Sequence, residues 1–588
     1  VVFRTQYEYP GVPGSGAQRL YEWDEGKLYD VGVVPGPGGL EVSEVIPGTS
    51  AQAGSGVASQ NLANHWSAVS EDATRSYFTA ISREGGDLGQ QAVFMRERAK
   101  GAGDVAAGSA IVGNPAATAG QFVAGQEISG PGIASGTTIA SASGVSLELS
   151  QAATATTEGA TLRAVRVIDV SQSQNPGTPN DRRTQYEMAS VDGSTVFFTA
   201  RYGLTETGTV PSATQCAIGD AEAPNGPGCG LYSYSIADGT LVELSTAEAG
   251  TDNSAGPSVA GVLGASHDGS RVYFAARGQL TLGEGATEAQ NLAQGSYNVY
   301  LSTNGDLSYV GRLGNSPGSV FRALVSSSPQ FWSAKVSPDG RYVLFGSQVP
   351  FTELGKADEG TRQEAYLYDA ESDETVCVSC RKDDAASLAP SGAEPLVNGL
   401  SDAQNRLRPP ATLAVSGDGT KVRAFFISYN DLATGATPGR PNLYLWENGQ
   451  TTFLSSSAPS LAKELRFAGA SATGDDVYFS TVDRLNWEDT DSKLDIYDVR
   501  VDGGFNPPSP PPTPCDPLGE GACQGSAGAS PAPAPAPGSS TFVGPERVEE
   551  PTQKAKSPKK KKRKHGKHRK KGKAKRGAKT GASQGGNK

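Results

Sequence analysis

The stretch that decides the fold is Phe331–Ser347, FWSAKVSPDGRYVLFGS. Two short apolar runs, WSAKV and YVLF, flank Ser337-Pro338-Asp339-Gly340, and this arrangement predicts a strand, a tight turn and a second strand. The Asp side chain can hydrogen-bond within its own turn, and Gly adopts a positive φ without a Cβ clash. One hairpin alone would not define a fold, but this phrase recurs along most of the chain.

Five further copies of the phrase are present. They are SEDATRSYFTA, SVDGSTVFFTA, SHDGSRVYFAA, SGDGTKVRAFFIS and SATGDDVYFST, which begin at Ser70, Ser190, Ser266, Ser416 and Ser471. Residues 1–5, VVFRT, have the sequence of the second strand without its turn, which brings the number of units to seven. Each unit continues with another strand pair, as in NVYLSTNGDLSYVG from Asn298. Four strands per unit predict an all-β fold, a β-propeller of about seven four-stranded blades.

The SPDG turn with its aromatic strand, followed by a strand of the type xxYLYD, resembles the WD-repeat-like blades of bacterial TolB-type β-propellers over residues 1–504. The resemblance implies a fold and no activity, because propellers carry many unrelated functions. The aligned turn residues are accordingly assigned to structure. They are Asp192, Gly193, Asp268, Gly269, Asp339, Gly340, Asp418 and Gly419.

The two ends of the repeat are incomplete in the sequence. Val1 already lies in the second strand of its unit, and the last unit ends after three strands in NPPSPPPTP. We therefore expect one short blade, or upstream residues that complete the ring. The chain begins with Val, so we treat its N-terminus as trimmed and infer nothing about a signal peptide. No run of 18 apolar residues predicts a membrane span.

Residues 99–165 interrupt the second unit with a segment rich in Gly, Ala, Ser and Thr that has few charges. Its phrase ISGPGIASGTTI at Ile128–Ile139 and its VSLELS strand resemble a small all-β module of bacterial surface and fibre-like proteins. A disordered low-complexity loop is the alternative. Periodic Ile and Val separated by Gly turns favour an inserted β module, and exposed loop tips tolerate such insertions.

The six cysteines form three pairs that are local in the sequence. They are Cys216 with Cys229, Cys377 with Cys380, and Cys515 with Cys523. An even number of cysteines favours disulfides in an oxidising, extracytoplasmic compartment. A zinc site at Cys377 and Cys380 would need two further ligands, and the chain has four histidines and no second CxxC motif. A redox site or free thiols are the remaining alternatives for this pair.

The composition changes after Gly504. Residues 505–553 form a Pro- and Ala-rich linker that favours extended, semi-rigid conformations. Residues 554–588 contain 17 Lys or Arg and no acid, whereas residues 1–553 contain 34 Lys or Arg against 62 acids. We expect this Lys-rich tail to be disordered. Its polyanion-binding candidates are Lys559, Lys560, Lys561, Lys562, Arg563, Lys564, Lys567, Arg569, Lys570 and Lys571.

The tail has four interpretations that the sequence leaves open, and one of them is that it folds back onto the acidic propeller. SPKKKKRKH at Ser557–His565 has the composition of a nuclear localisation signal or a nucleic-acid arm, but no aromatic residue of the tail can stack on bases. Any such run binds polyanions, and in a secreted bacterial protein these are wall polymers and lipid headgroups. We favour retention at the envelope over an inert solubilising tail and over nucleic-acid binding.

The candidates for catalysis are weak. The G-x-S-x-G match at 581–585 lies in the tail, where no strand-turn-helix elbow can form. His267 occupies the variable turn position that Val191 and Pro338 hold in other units, and His65 precedes a Trp at the start of an inner strand. Prolyl oligopeptidase-type enzymes add an α/β-hydrolase domain to a propeller, and no segment here is long enough for one.

Asp489, Asp491 and Asp495 are spaced so that they can gather oxygen ligands for calcium, although the loop lacks the Gly and distal Glu of an EF-hand. A solvated acidic turn is the alternative. No other cofactor is predicted. We expect a monomeric, non-catalytic, extracytoplasmic propeller that binds a protein or a glycan through loops at one face. A propeller glycosidase or lyase with acids at the central tunnel, and a nucleic-acid binder, are the competing hypotheses.

Overall fold

The structure is a computed structural model in which the chain divides into two units, Val1–Pro510 and Pro511–Lys588. All of the residues that can be described belong to the first unit. They are residues 1–5, 19–36, 39–42, 52–53, 67–81, 91–175, 184–200, 203–205, 230–251, 256–294, 296–313, 334–347, 349–354, 364–383, 385, 411–416, 419–456, 465–486, 488–491, 493–501 and 503.

The first part of the chain forms two sheets of the repeat, a short hairpin and an insertion. Blade 1 consists of β1 (Val2–Thr5), β2 (Arg19–Asp24) and β3 (Lys27–Asp30), and the hairpin consists of β4 (Val33–Gly36) and β5 (Gly39–Val42). Blade 2 and the insertion share one sheet, with β6 (Gln52–Ala53), β7 (Arg75–Ile81), β8 (Gln91–Val105), β9 (Ile111–Ala119), β10 (Glu127–Ser129), β11 (Ile139–Ala142), β12 (Ser146–Leu149) and β13 (Thr157–Asp169).

Blades 3 to 6 are four-stranded antiparallel sheets whose strands pair in chain order. Blade 3 has β14 (Gln185–Ala189), β15 (Thr195–Ala200), β16 (Gly230–Ser235) and β17 (Leu241–Glu243). Blade 4 has β18 (Val259–Ala265), β19 (Arg271–Ala276), α1 (Glu288–Gln294), β20 (Tyr297–Thr303) and β21 (Asp306–Leu313). Blade 5 has β22 (Ala334–Val336), β23 (Tyr342–Ser347), β24 (Glu364–Asp369) and β25 (Glu374–Cys377). Blade 6 has β26 (Ala411–Val415), β27 (Val422–Ser428), β28 (Asn442–Glu447) and β29 (Gln450–Ser456).

Blade 7 has three strands among the described residues, β30 (Arg466–Ala470), β31 (Asp476–Thr481) and β32 (Asp495–Arg500). Three strands are also described in blade 1. The end blades of the described chain are therefore shorter than blades 3 to 6. No helix among these residues is long and apolar enough to cross a membrane.

The blades are stacked side by side around their first strands. The first strands of blades 3, 4, 5, 6 and 7 contact one another in chain order. The apolar core is divided into layers, each formed by two successive blades from the pair of blades 1 and 2 to the pair of blades 6 and 7. Sheets that meander outward from adjacent first strands and pack face to face form a β-propeller. The predicted all-β propeller fold is confirmed.

The insertion is a small β module with a core of its own, formed by residues that include Val112, Ile128 and Leu162. It is joined to blade 2 by two long strands, because β8 and β13 pair continuously from Phe94↔Asp169 to Gly103↔Ala160. The same strands are the third and fourth strands of blade 2 at one end and part of the module at the other. The boundaries predicted at 99 and 165 thus fall inside continuous strands.

Candidate functional site

The S-x-D-G turns share one hydrogen-bonding pattern. The Asp192 carboxylate accepts hydrogen bonds from the Ser190 hydroxyl at 2.7 Å and from the Ser194 amide at 2.9 Å. Equivalent bonds form at Asp268 and Asp339. The next residue has a positive φ, which is 65° at Gly193, 75° at Gly269, 71° at Gly340 and 71° at Gly419. Asp418 lies outside the described residues.

The second residue of each turn connects it to the turn of the next blade. The Glu71 amide donates to the Val191 carbonyl at 2.9 Å, the Val191 amide to the His267 carbonyl at 2.9 Å, and the His267 amide to the Pro338 carbonyl at 2.8 Å. We call this series the turn relay. His267 therefore takes part through its backbone, in a turn. Proline has no amide hydrogen, so the relay cannot continue from Pro338 to a further turn.

Two buried tyrosines add a second link between a blade and the turn of the next blade. The Tyr77 hydroxyl donates to the Gly193 carbonyl at 2.7 Å, and the Tyr273 hydroxyl donates to the Gly340 carbonyl at 2.9 Å. Sequence reasoning assigned these glycines to their own turns only. Their role between blades was missed, because the contact joins residues 116 and 67 positions apart.

A buried charge cluster lies where β2 faces the base of the module. Nitrogen atoms of Arg96, Arg98 and Arg163 lie 2.8–3.0 Å from the Glu22 carboxylate, and Arg163 also lies 2.9 Å from Asp24. We call these five side chains the Glu22 network. Burial lowers the pKa of Arg96 to about 10, and Glu22 opposes this shift. Removal of one partner from a buried ion pair leaves an uncompensated buried charge, which is strongly destabilising.

Further contacts continue the Glu22 network into blade 2. The Arg163 guanidinium lies 3.6 Å from the centre of the Tyr29 ring, a cation–π contact. Glu97 accepts from Arg75 at 2.9 Å and from Arg166 at 2.7 Å. The ion pairs join β2 to both strands that carry the module, so they hold the module's base against blade 1. Sequence reasoning missed this cluster, although the alternating basic residues of RERAK in β8 were a visible signal.

A groove of about 770 Å³ lies between the outer part of blade 4 and blade 5. Its lining includes two acids, Glu284 and Asp373, one base, Arg312, and two aromatic side chains, Tyr309 and Phe351. The Arg312 Nε atom is buried without a hydrogen-bond partner among the described residues. The volume lies in the range of small-ligand sites, and the lining combines hydrogen-bonding groups with ring faces. A second groove, of about 510 Å³ and lined in part by Leu454, Val499 and Arg500, separates blades 6 and 7.

The three acids predicted to bind calcium come together in the loop before β32. One carboxylate oxygen each from Asp489, Asp491 and Asp495 lies within 4.8 Å of the other two. Asp489 also accepts a hydrogen bond from the Tyr497 hydroxyl at 2.7 Å. The described residues thus bring the triad together, and the arrangement suits either a hard cation or a solvated acidic turn.

Blade 6 has a corresponding loop before β28. The two loops have the same length, from Leu432 to Asn442 in blade 6 and from Leu485 to Asp495 in blade 7. There Asn442 accepts from the Thr437 amide at 3.0 Å and donates from its side-chain nitrogen to the carbonyls of Thr437 and Arg440, both at 2.9 Å. Asp495 takes the place of Asn442 in blade 7. A carboxylate cannot donate these bonds.

Cys377 and Cys380 form a disulfide at the end of β25. Ser379, between them, is fully buried; its hydroxyl accepts from the Ala365 amide at 2.7 Å and donates to the Glu364 carboxylate. One oxygen of Glu364 and the two sulfur atoms lie within 4.8 Å of one another. Sequence reasoning did not associate an acid with this pair.

Glu187 and Lys335 lie on first strands, and burial shifts the pKa of each. Glu187 on β14 is buried, and burial raises its pKa to about 8, although Thr199 and the Val262 amide donate hydrogen bonds to it. Burial lowers the pKa of Lys335 on β22 to about 8. These two residues belong to blades 3 and 5, which are separated by blade 4.

The remaining predicted site residues lie outside the described residues. They are Cys216, Cys229, Cys515, Cys523, His65 and the ten basic residues of the tail from Lys559 to Lys571. Two disulfides therefore stay predictions, Cys216 with Cys229 and Cys515 with Cys523. The polyanion-binding role of the tail also stays a prediction, whether its partner is the envelope, a nucleic acid or the propeller itself.

Comparison with known proteins does not assign this chain to a family. No family model matches it, and no curated protein matches it. The TolB-type character of the blades therefore remains a resemblance.

Solved structures give distant similarities. The β-propeller domain of the Trilobed protease from Pyrococcus furiosus is 10% identical over 52% of this chain and 66% of that chain, with a TM-score of 0.24. The phage phi92 endosialidase is 12% identical over 74% of this chain and 67% of that chain, with a TM-score of 0.25. Pyrococcus horikoshii acylaminoacyl peptidase is 11% identical over 52% and 36%, with a TM-score of 0.23. Similarities at this level carry no argument about function.

Proposed function

We propose that this chain is a non-catalytic β-propeller, secreted or retained at the cell envelope, that binds a glycan in the groove between blades 4 and 5. The observation that carries the proposal is the lining of that groove. Carboxylates at Glu284 and Asp373 accept hydrogen bonds from hydroxyl groups, and Arg312 donates them. Ring faces at Tyr309 and Phe351 suit the apolar faces of sugar rings.

The repeated residues support a binding role because they are used in the architecture. The turn aspartates and glycines close hairpins, and the turn relay and buried tyrosines connect blades. Function then falls to the parts that the repeats do not share. The groove uses such parts, since Gln290 belongs to the single described helix and Phe351 to a blade-specific loop.

The inserted module is proposed as a second contact. It extends blade 2 through two paired strands whose base is held by the Glu22 network. Its exposed strand positions carry mostly hydroxyl, amide and small side chains, as at Asn114, Thr118 and Ser141. A partner bound there would be presented in a fixed geometry, which lowers the entropy lost on binding.

The disulfide at Cys377 and Cys380 favours an oxidising compartment. In that compartment the Lys-rich tail would meet anionic wall polymers and lipid headgroups, and it would retain the propeller close to its glycan. A partner protein in the same groove, a propeller enzyme and a nucleic-acid binder remain the competing proposals.

The test measures binding of the full-length protein to purified envelope polysaccharide. Arg312→Gln and Glu284→Gln should weaken binding. Two controls should not: Arg500→Gln in the second groove, and Glu371→Gln on blade 5 outside the lining of the first groove. Unchanged affinity in both groove variants would refute the glycan site. Release of soluble sugar over time, abolished by Glu187→Gln, would favour the enzyme instead.

The tail is tested separately by truncation before Lys554. Retention on whole cell walls should fall and should lose its salt dependence, because counterion release drives such binding. Equal retention of the truncated protein would contradict the anchor. Tighter binding of the full-length protein to DNA than to walls across a salt series would favour the nucleic-acid alternative.

A further inference from the structure

The C-V-S-C segment at the end of β25 lies beside a buried carboxylate of β24, so two sulfur atoms and a carboxylate are close together. Cys377 ends β25, and Glu364 begins β24, the neighbouring strand of blade 5. Glu364 is 1% exposed and Cys380 is 7% exposed. Glu364 accepts a hydrogen bond from the Ser379 hydroxyl, and one of its oxygen atoms also lies within 4.8 Å of both sulfur atoms.

We propose that the reduced form of Cys377 and Cys380 binds one Zn²⁺ ion, with Glu364 as the third protein ligand. Two cysteines separated by two residues are a recurrent zinc-ligand pair, and carboxylate oxygen is an accepted zinc ligand. This inference goes beyond glycan binding and does not depend on it. The sequence alone left the pair short of further ligands, and the structure supplies one from the adjacent strand.

The distances fit a tetrahedral ion after a small adjustment. Zinc–sulfur bonds of about 2.3 Å and a zinc–oxygen bond of about 2.1 Å place the ligand atoms about 3.6–3.8 Å apart. In the disulfide form, the Glu364 oxygen and both sulfur atoms already lie within 4.8 Å of one another. Cleavage of the sulfur–sulfur bond lets the two sulfur atoms separate to the distance that the ion requires.

The surrounding hydrogen bonds hold the ligands in place. The Val378 amide donates to the Ala365 carbonyl at 2.9 Å, which fixes the segment against β24. The Ser379 hydroxyl donates to Glu364, and the Ser379 carbonyl accepts from the Asn430 side chain of blade 6 at 3.2 Å. A hydroxyl bonded to a ligating carboxylate orients it, as the outer partners of metal ligands usually do.

The two states are connected by a balanced exchange. A dithiol reductant attacks the Cys377–Cys380 bond, passes two electrons to the two sulfur atoms and leaves as its own cyclic disulfide, while both cysteines become thiols. Zn²⁺ then displaces the two thiol protons and binds two thiolates and the Glu364 carboxylate. In the reverse direction, the cyclic disulfide accepts two electrons from the two thiolates and two protons from solvent and returns to the dithiol, while the Cys377–Cys380 bond forms again and the ion is released. The segment therefore holds either a disulfide or zinc, and never both.

The test uses the full-length chain with Cys216, Cys229, Cys515 and Cys523 replaced by Ser, so that only one cysteine pair remains. After reduction by a dithiol and removal of oxygen, cobalt(II) is added as a spectroscopic substitute for zinc. We expect one equivalent to bind with thiolate-to-cobalt charge-transfer absorption and the visible bands of a tetrahedral ion, and zinc to displace it. The oxidised chain should bind none.

Glu364→Gln should lower the affinity at least about tenfold, and Cys377→Ser with Cys380→Ser should abolish binding. Glu374→Gln is the matched control, because this exposed acid lies on the same hairpin. Absence of thiolate-to-cobalt absorption, or equal affinity of the Glu364→Gln and Glu374→Gln variants, would overturn the proposal. If reduction removes the near-ultraviolet dichroism of the fold, one equivalent of zinc should restore it, and failure to do so would count against the site equally.

Discussion

The hydroxyl of Tyr273 donates a hydrogen bond of 2.9 Å to the carbonyl of Gly340, so a buried side chain of blade 4 is joined to the turn of blade 5. The same turn approaches blade 4 so closely that a Cβ atom added at Gly340 would lie 2.8 Å from the Arg271 Cβ. The glycine is therefore required by its conformation and by its neighbour. At Gly419, an added Cβ meets no atom of the described residues within 4 Å.

These two glycines allow the energetic cost of the positive φ to be separated from that of the close contact between blades. Gly340→Ala and Gly419→Ala both force alanine to a φ of 71°, which costs about 1–2 kcal/mol. Gly340→Ala should cost a further 1–3 kcal/mol or so, because overpacking at the blade interface is added to the backbone strain. The measurement is the difference between the two variants in thermal or urea unfolding. Equal losses would mean that the contact between blades has no energetic effect.

Glu22→Gln should destabilise the protein strongly. The substitution leaves Arg96, Arg98 and Arg163 buried around a neutral amide, and breaking a buried ion pair costs about 3–5 kcal/mol. Glu25→Gln is the control, since Glu25 is 75% exposed and pairs with Lys100 at the surface. Its effect should stay below about 1 kcal/mol. Urea unfolding of both variants gives the comparison, and a small loss in Glu22→Gln would contradict the structural role of the Glu22 network.

Glu187 should make stability fall as the pH rises. Its folded pKa of about 8 lies above the ordinary value of 4.5, so the folded state holds a proton that the unfolded state releases between these values. The contribution is complete below about pH 4.5 and declines by about 1.4 kcal/mol per pH unit up to about pH 8. Glu187→Gln should remove this slope.

The measurement for Glu187 is the unfolding midpoint of wild type and variant at pH values across that window. The exposed Glu284 supplies the control, because Glu284→Gln should retain the wild-type slope. A Glu187→Gln protein that loses stability with pH as steeply as wild type does would show that another group is responsible.

If the blade 7 loop binds calcium, millimolar calcium should raise the midpoint of thermal unfolding. An ion that binds only the folded state stabilises that state. Asp491→Asn should remove the response, because the ion would lose one of three carboxylates within 4.8 Å. Asp498→Asn, three residues after Asp495 on β32, should retain it. If calcium causes no thermal shift and releases no heat in isothermal titration, the loop is a solvated acidic turn.

The strands and turns could be predicted because their causes are local. Alternating apolar residues and the Asp-Gly pair act within about ten residues, and each copy of the phrase repeats the evidence. The cysteine pair at 377 and 380 is local for the same reason. The short described strand Ala334–Val336 lies within the longer run that WSAKV suggested.

The remaining features depend on the register of strands that are distant in sequence. Arg163 reaches Glu22 across 141 positions, and nothing in a single sequence specifies that pairing. The contact between Glu364 and the cysteine segment was easier to predict, because Tyr366 pairs with Cys377 in the register of β24 and β25. Extending that register by two residues places Glu364 opposite Ser379. The signal was present, but it required knowing which strand pairs with the cysteine segment.

The turn relay has a direction, because each turn accepts from one neighbour and donates to the other until Pro338, which can only accept. In hydrogen exchange, the amides of Val191 and His267 should therefore be released only when two blades separate. The interface between blades 5 and 6 lacks a bond donated by Pro338, and it is bridged by the Asn430 side chain and by the ion pair between Arg381 and Asp431 instead. Among the interfaces from blade 2 to blade 6, separation of neighbouring blades should begin at this one, where side-chain contacts replace the backbone link of the turn relay.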